Sequence, residues 1–175
     1  GLRVQGSDMT ESDTVRQLRS QGIDVAIGHS AENLKDCDLV IRTAAIHDEN
    51  PEIAGAIARG IPVYERAQAW GAIMQAYRNA VCISGTHGKT TTTSMATHIF
   101  MAAQADPTVM IGGTLPMLHA GYRVGKGNTI ILESCEYCNS FLSFFPTVAV
   151  ILNVEADHLD FFKDLADVEH SFHRF

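Results

Sequence analysis

The sequence predicts an α/β fold with two parallel-sheet units, because short apolar runs alternate with helical segments along its 175 residues. One run, Leu39–Ile41, is continuously apolar, as is typical of a strand buried on both faces of a parallel sheet. Another, Val81–Ile83, leads directly into a glycine-containing loop and then a helix. Ligands of such sheets bind at the carboxyl ends of the strands, so functional residues are expected there.

The first unit, residues 1–66, carries start and stop signals for two helices. A helix is predicted over Ser12–Gln21 with Gly22 as its stop, and Pro51 suits the first turn of a second helix that Gly60 ends. The predicted strands are Leu2–Val4, with Gly6–Asp8 as its exit turn, Asp24–Ile27, Leu39–Ile41 and Ile61–Tyr64.

The second unit, residues 67–175, opens with a helix whose apolar stripe, which includes Trp70 and Tyr77, favours packing over cofactor binding. A helix over Thr90–Ala103 follows the glycine-containing loop, and residues 115–127 are predicted to form a glycine-rich loop. The predicted strands are Val81–Ile83, Val109–Ile111, Thr129–Leu132 and Val148–Asn153.

Composition excludes several classes of protein. A net charge of -7 with 13 Lys and Arg residues argues against a general nucleic-acid binder, which needs a basic face. The sequence shows no signal segment and no run of eighteen apolar residues, so we expect a cytoplasmic protein that does not bind membranes.

The four cysteines are too few for a disulfide framework, and the Cys135-x-x-Cys138 spacing lacks the second pair that a zinc site needs. A coincidental spacing is favoured over a metal or redox role.

The segment after Val81–Ile83 is predicted to bind the phosphates of a nucleoside triphosphate. Gly85 and Gly88 let successive N–H groups point inward, Lys89 places a charge on the outer phosphates, and Thr90 offers a hydroxyl to magnesium. The general pattern G-x-x-x-x-G-K-[ST] requires a glycine where this chain has Ile83, so the loop is a variant. The alternative is a chance glycine turn before a helix. The candidate nucleotide-binding residues are Gly85, Thr86, His87, Gly88, Lys89, Thr90 and Thr91.

Two further strand ends carry candidate residues. Glu133 ends an apolar strand, where nucleotide-hydrolysing folds place the acid that holds magnesium against the β- and γ-phosphates. Asp157 and His158 follow another strand, so His158 could reach the same crevice. The alternative for each is a solvated strand end without a catalytic role.

The loop variant resembles that of the Mur ligases, the ATP-dependent amide-forming enzymes of bacterial cell-wall precursor synthesis, whose loop reads G-T-x-G-K-[ST]. Gly85–Thr90 matches it at every fixed position, and His87 with the run Thr90–Ser94 resembles the branch that acts on UDP-N-acetylmuramate. Glu133–Tyr137 and Leu152–His158 resemble two further family stretches. Cys135, Tyr137 and Cys138 stand where aspartate, serine and aspartate are common.

The resemblance implies ATP and Mg²⁺ as cofactors. Carried over, Lys89, Glu133 and His158 are the catalytic residues; Glu133 is a magnesium ligand with Thr90, and His158 supports a second metal. Glu136 is also retained, with a less certain role.

Upstream segments resemble the UDP-sugar domain of the same family. Asp8 stands at a strand's carboxyl end where it could accept a hydrogen bond from the uridine, and Thr43–Ile46 lie where the diphosphate or sugar would pass. Without the resemblance, Asp8 and Thr43 could equally be turn residues. The candidate substrate-binding residues are Asp8, His29, Thr43, Ala44 and Ala45.

The resemblance implies a Rossmann-like UDP-N-acetylmuramate domain over residues 1–66 and a P-loop ATPase-type domain over residues 67–175, both incomplete. The implied activity joins L-alanine to UDP-N-acetylmuramate through an acyl phosphate, with this chain alone expected to be inactive. A ligase that attaches a ready-made tripeptide to the same UDP-sugar, and a module that binds nucleotide without catalysis, are the alternatives.

Overall fold

The computed structural model describes residues 2–175, which form two compact units with the boundary between Arg66 and Ala67. Both units are α/β and contain parallel strand pairs, as the sequence predicts. None of the helices in the described part of the chain is long and apolar enough to cross a membrane.

The first unit contains two separate two-stranded parallel sheets. Buried side chains from the strands and helices, among them Val15, Val25 and Ile53, form its small core. Ser12 caps its first helix and Asn50 its second, through side-chain oxygens that accept N–H bonds of 3.2 and 2.9 Å. The strands are β1 (Gln5–Asp8) paired with β2 (Asp24–Ile27), and β3 (Val40–Arg42) paired with β4 (Val63–Glu65); the helices are α1 (Asp13–Ser20) and α2 (Pro51–Ala58).

The second unit is a five-stranded sheet between two layers of helices and loops. Its strand order is β7-β6-β8-β5-β9, and every neighbouring pair is parallel except β6 and β7. The strands are β5 (Asn79–Ser84), β6 (Thr108–Leu115), β7 (Ala120–Arg123), β8 (Thr129–Glu133) and β9 (Val148–Ile151); the helices are α3 (Arg66–Met74), α4 (Lys89–Ala102) and α5 (Leu165–Arg174).

Alternation along the central strands builds a core on both faces of this sheet. Cys82 and Leu132 join one cluster with Phe141 and Phe172, while Ile83 and Ile131 join the cluster that α4 covers. Because both faces are covered, the strands read as continuous apolar runs, which is why the sequence revealed them.

The structure corrects two sequence predictions and contains one helix that was not predicted. The first strand is Gln5–Asp8, so the residues predicted as an exit turn, Gly6–Asp8, pair with β2. The predicted strand Leu2–Val4 lies before the paired residues, and Leu2 is 92% exposed. The predicted loop over residues 115–127 contains β7, which folds back antiparallel on β6. Helix α5 was not predicted, although Asp164 caps it and Val168 and Phe172 bury its apolar stripe.

Candidate active site

The loop between β5 and α4 has the backbone that a phosphate-binding loop requires. Gly85 has a φ of 136° and Gly88 a φ of 85°, conformations that residues with a Cβ rarely adopt. A Cβ on Gly85 would lie 3.0 Å from the Leu152 side chain and 3.1 Å from the backbone of Asn153. The first helical bond of α4 runs from Thr92 N–H to Gly88 O, so the N–H groups of residues 89–91 open the helix and favour an anion.

Asn153, just after β9, clamps this loop. Its Oδ1 accepts the N–H of His87 at 2.8 Å, its Nδ2 donates to the carbonyl of His87 at 3.0 Å, and its own carbonyl accepts the N–H of Thr86 at 3.1 Å. The Thr86 hydroxyl also accepts the N–H of Glu155 at 2.9 Å. The sequence placed Asn153 in a family-like stretch but gave no hint that its side chain shapes the loop.

Lys89 folds back over the loop onto a buried carboxylate. Its Nζ donates to the carbonyls of Gly85 at 2.5 Å and Thr86 at 3.1 Å, and to both oxygens of Glu136 at 3.0 and 3.1 Å. The side chain of Glu136 is only 2% exposed, so this ion pair is largely removed from water. Bonds within the protein therefore hold the lysine at the loop.

Glu133 lies beside the first turn of α4. Thr90 donates its hydroxyl to Glu133 Oε1 at 2.8 Å, and Gly112 on β6 donates its N–H to Oε2 at 2.7 Å. A Cβ on Gly112 would stand 2.7 Å from Glu133 Oε1, so glycine at this position admits the carboxylate. Strand pairing explains why Glu133 lies close to Thr90. Glu133 on β8 is in register with Ile83, near the end of β5, and the loop that leads to Thr90 follows β5.

His158 also lies close to Glu136. Its Nε2 is 3.8 Å from Glu136 Oε1, so His158 and Lys89 approach the same carboxylate. The strand ends of β5, β8 and β9 thus bring loop, carboxylates and histidine together, as the parallel topology predicts. Thr91 is exposed on the first turn of α4.

The donor set suits magnesium held together with phosphate rather than a metal caged by protein. Within residues 2–175 no three His, Cys, Asp or Glu side chains converge on one cation position. Mg²⁺ usually binds through one or two protein oxygens, substrate phosphates and water, and the Thr90 hydroxyl with the Glu133 carboxylate supplies two such oxygens.

Cys82, Cys135 and Cys138 in the second unit are free thiols, and the pKa values of Cys82 and Cys135 are raised. Burial raises the pKa of Cys82 to about 11. Desolvation raises the pKa of Cys135, although the N–H of Tyr137 donates a hydrogen bond that opposes the shift. A thiol that is held protonated is a poor nucleophile. The coincidental origin of the Cys135-x-x-Cys138 spacing stays a prediction.

In the first unit, Asp8 and Thr43 both close turns. Asp8 Oδ1 accepts the N–H of Thr10, and Thr43 Oγ1 accepts that of Ala45, each at 3.1 Å. Ala44 and Ala45 are exposed just after β3. The turn interpretation of Asp8 and Thr43 is therefore present in the structure, which leaves a part in binding substrate as a prediction.

His29 belongs to a polar cluster that sequence reasoning did not assemble. Ser7 on β1 donates its hydroxyl to Glu52 Oε2 at 2.6 Å and lies 3.2 Å from His29 Nδ1. Asn33 donates to the other oxygen of Glu52, so this carboxylate at the start of α2 connects Ser7 on β1 with Asn33 in the segment after β2. Only the Asn-Pro-Glu start of α2 could have pointed to Glu52.

Two sequence families account for nearly the whole chain. The profile described as "Mur ligase family, catalytic domain" matches residues 1–78, and "Mur ligase middle domain" matches residues 83–175. The chain belongs to the Mur ligase family. The resemblance carried by Gly85–Thr90 is therefore confirmed.

Curated relatives of this Mur ligase chain are similar along its entire length. A protein of Clostridium novyi named UDP-N-acetylmuramate--L-alanine ligase is 49% identical over 175 residues, and one of Agathobacter rectalis with the same name is 51% identical over 176 residues. Each alignment covers all of this chain and 38% of the relative, so the chain spans well under half of their length.

Among solved structures, the UDP-N-acetylmuramate-alanine ligase of Thermotoga maritima is 33% identical with a TM-score of 0.88. The match covers 98% of this chain and 40% of that protein. The α/β architecture is therefore the one found in a solved ligase of this family.

Proposed function

We propose that this chain forms part of an ATP-dependent ligase that joins L-alanine to UDP-N-acetylmuramate in cytoplasmic peptidoglycan precursor synthesis. The observation that carries the proposal is the meeting of Lys89, Thr90 and Glu133 at the start of α4, in a chain about half identical to relatives bearing that name. This arrangement fits the outer phosphates of a nucleoside triphosphate.

The proposed chemistry is two successive transfers. A carboxylate oxygen of UDP-N-acetylmuramate forms a bond to the γ-phosphorus of ATP while the bond to the leaving oxygen of ADP breaks, giving an acyl phosphate. The amine of L-alanine then attacks the acyl carbon, loses a proton and expels inorganic phosphate, leaving an amide.

Positioning and charge stabilisation are the contributions expected of this chain. Lys89 would turn from Glu136 toward the transferred phosphoryl group, and the opening N–H groups of α4 would hold its oxygens. Thr90 and Glu133 would hold Mg²⁺, which when bound neutralises negative charge on the phosphates. His158, beside Glu136, would line the same crevice toward a second metal or a phosphate oxygen.

The first unit would bind the UDP-sugar. Asp8, His29 and Thr43–Ala45 lie at or beyond the carboxyl ends of β1, β2 and β3, where parallel sheets bind ligands. The hydrogen-bonded group of Ser7, His29 and Glu52 holds His29 in a fixed orientation.

The test uses this chain within a polypeptide of the length of its curated relatives, called here the ligase-length protein. Phosphate release and product mass are measured with ATP, Mg²⁺ and UDP-N-acetylmuramate plus either L-alanine or a tripeptide. Product with L-alanine supports the proposal. Product with the tripeptide alone assigns the recycling reaction instead, and nucleotide binding without product from either amine leaves a non-catalytic module.

A further inference from the structure

The segment after Glu136 holds an aromatic side chain against His158. The rings of Tyr137 and His158 have centroids 4.8 Å apart and planes inclined by 39°. The rings of Tyr137 and Phe161 also form a T-shaped contact, with centroids 6.0 Å apart. The Tyr137 hydroxyl donates a 2.8 Å hydrogen bond to Asp160 Oδ2, two residues beyond His158, and this bond raises the pKa of Tyr137 to about 12. The tyrosine is thus fixed at both its ring and its hydroxyl.

The backbone at His158 is held independently of Tyr137. His158 has a φ of 52°, its N–H donates to Asp157 Oδ1 at 2.7 Å, and its carbonyl accepts the N–H groups of Phe161 and Phe162 at 2.8 Å. Phe162 is buried in the core. These bonds fix where the side chain starts, but they leave the imidazole free to rotate. The contact with Tyr137 restricts that rotation.

We propose that Tyr137, anchored by Asp160, is a positioning residue that keeps the His158 imidazole turned toward Glu136 and the nucleotide-metal site. This inference rests on the proposed function. It differs from a surface-packing role in what it predicts: loss of the ring should weaken metal-nucleotide binding without unfolding the protein. Partners that orient metal-binding side chains typically contribute about 10- to 100-fold in metal affinity or activity.

The test compares Tyr137→Leu, Tyr137→Phe and Asp160→Asn in the ligase-length protein. Mn²⁺ binding in the presence of a β,γ-imido ATP analogue is followed by electron paramagnetic resonance, beside the Mg²⁺ requirement for ligation and the Tm. We expect Tyr137→Leu to weaken Mn²⁺ binding about 10-fold or more at a nearly unchanged Tm. Tyr137→Phe removes the hydroxyl donor and Asp160→Asn exchanges the carboxylate acceptor of the same bond for a weaker, neutral one, so both should give smaller losses that do not add in the double variant. Tyr122→Leu, which alters a half-exposed tyrosine on β7, is the matched control.

Mn²⁺ binding unchanged by Tyr137→Leu overturns the proposal, as does a loss that merely follows a fall in Tm. The ligase proposal is judged separately, on product formation by the unmodified protein. If the unmodified protein makes no product, but the Tyr137→Leu and His158→Ala variants both bind Mn²⁺ more weakly than it does, the positioning role of Tyr137 stands and the ligase proposal falls. If the unmodified protein forms product and Tyr137→Leu binds Mn²⁺ equally well, the ligase proposal stands and the positioning role of Tyr137 falls.

Discussion

Lys89 Nζ lies 3.0 Å from the buried carboxylate of Glu136. In the proposed function Lys89 contacts the γ-phosphate, whereas Glu136 has almost no access to water. A carboxylate buried in this way requires a compensating cation, so Glu136 depends on Lys89 for its charge balance.

Lys89→Ala is therefore expected to have two separable effects. In the ligase-length protein, kcat/KM for ATP should fall at least about 100-fold, because a positioned cation is lost from the phosphoryl group. Stability should also fall, by about 3 kcal/mol or more, because Glu136 is left buried and unpaired. Adding Glu136→Gln should recover most of the Tm but none of the activity. Equal loss of Tm in the single and double variants would contradict the pairing argument.

Gly112 and Gly113 offer a matched pair for testing the position of Glu133. A Cβ on Gly112 would lie 2.7 Å from Glu133 Oε1, whereas one on Gly113 would make an ordinary 3.6 Å contact with Thr90 Cγ2. Gly112→Ala should displace the flexible carboxylate, raising the Mg²⁺ concentration for half-maximal rate about 10-fold with little change in Tm. Gly113→Ala should leave both unchanged. If Gly112→Ala and Gly113→Ala required the same Mg²⁺ concentration for half-maximal rate, the position of Glu133 would not contribute to Mg²⁺ binding.

The parts of the site that the sequence revealed are those set by chain-local rules. The glycines of the loop, Lys89 and the strand-ending Glu133 follow from backbone geometry and parallel topology, and they meet as predicted. The clamp from Asn153 and the Tyr137-His158 contact could not be predicted, because they join residues 66 and 21 positions apart through side-chain orientation. Strand β7 was missed because its pairing with β6 comes from tertiary context, not from an apolar run.

Asn153→Ala tests whether the clamp prepares the phosphate-binding loop. Without the two bonds to the backbone of His87, the loop gains alternative conformations, so KM for ATP should rise about 10-fold while kcat changes less. Asn153→Asp retains the oxygen that accepts the His87 N–H and should give an intermediate value. Nucleotide affinity can be checked directly by calorimetry with the imido analogue, and an unchanged affinity in Asn153→Ala would show that the loop is preformed without the clamp.

Ser84 and Ser134 are fully buried serines at the ends of adjacent strands, but only one has its hydroxyl paired. Ser134 Oγ donates to the carbonyl of Leu132 at 3.2 Å, whereas Ser84 Oγ has no hydrogen-bond partner within residues 2–175. An unpaired buried hydroxyl costs about 1 to 3 kcal/mol, so Ser84→Ala should hold or raise the Tm of the ligase-length protein. Ser134→Ala removes a made bond and should lower stability by about 1 kcal/mol. Thermal unfolding of the two variants side by side provides the measurement, since both lose the same atom from equally buried positions. A Tm lowered as much by Ser84→Ala as by Ser134→Ala would mean that the Ser84 hydroxyl is satisfied by bound water.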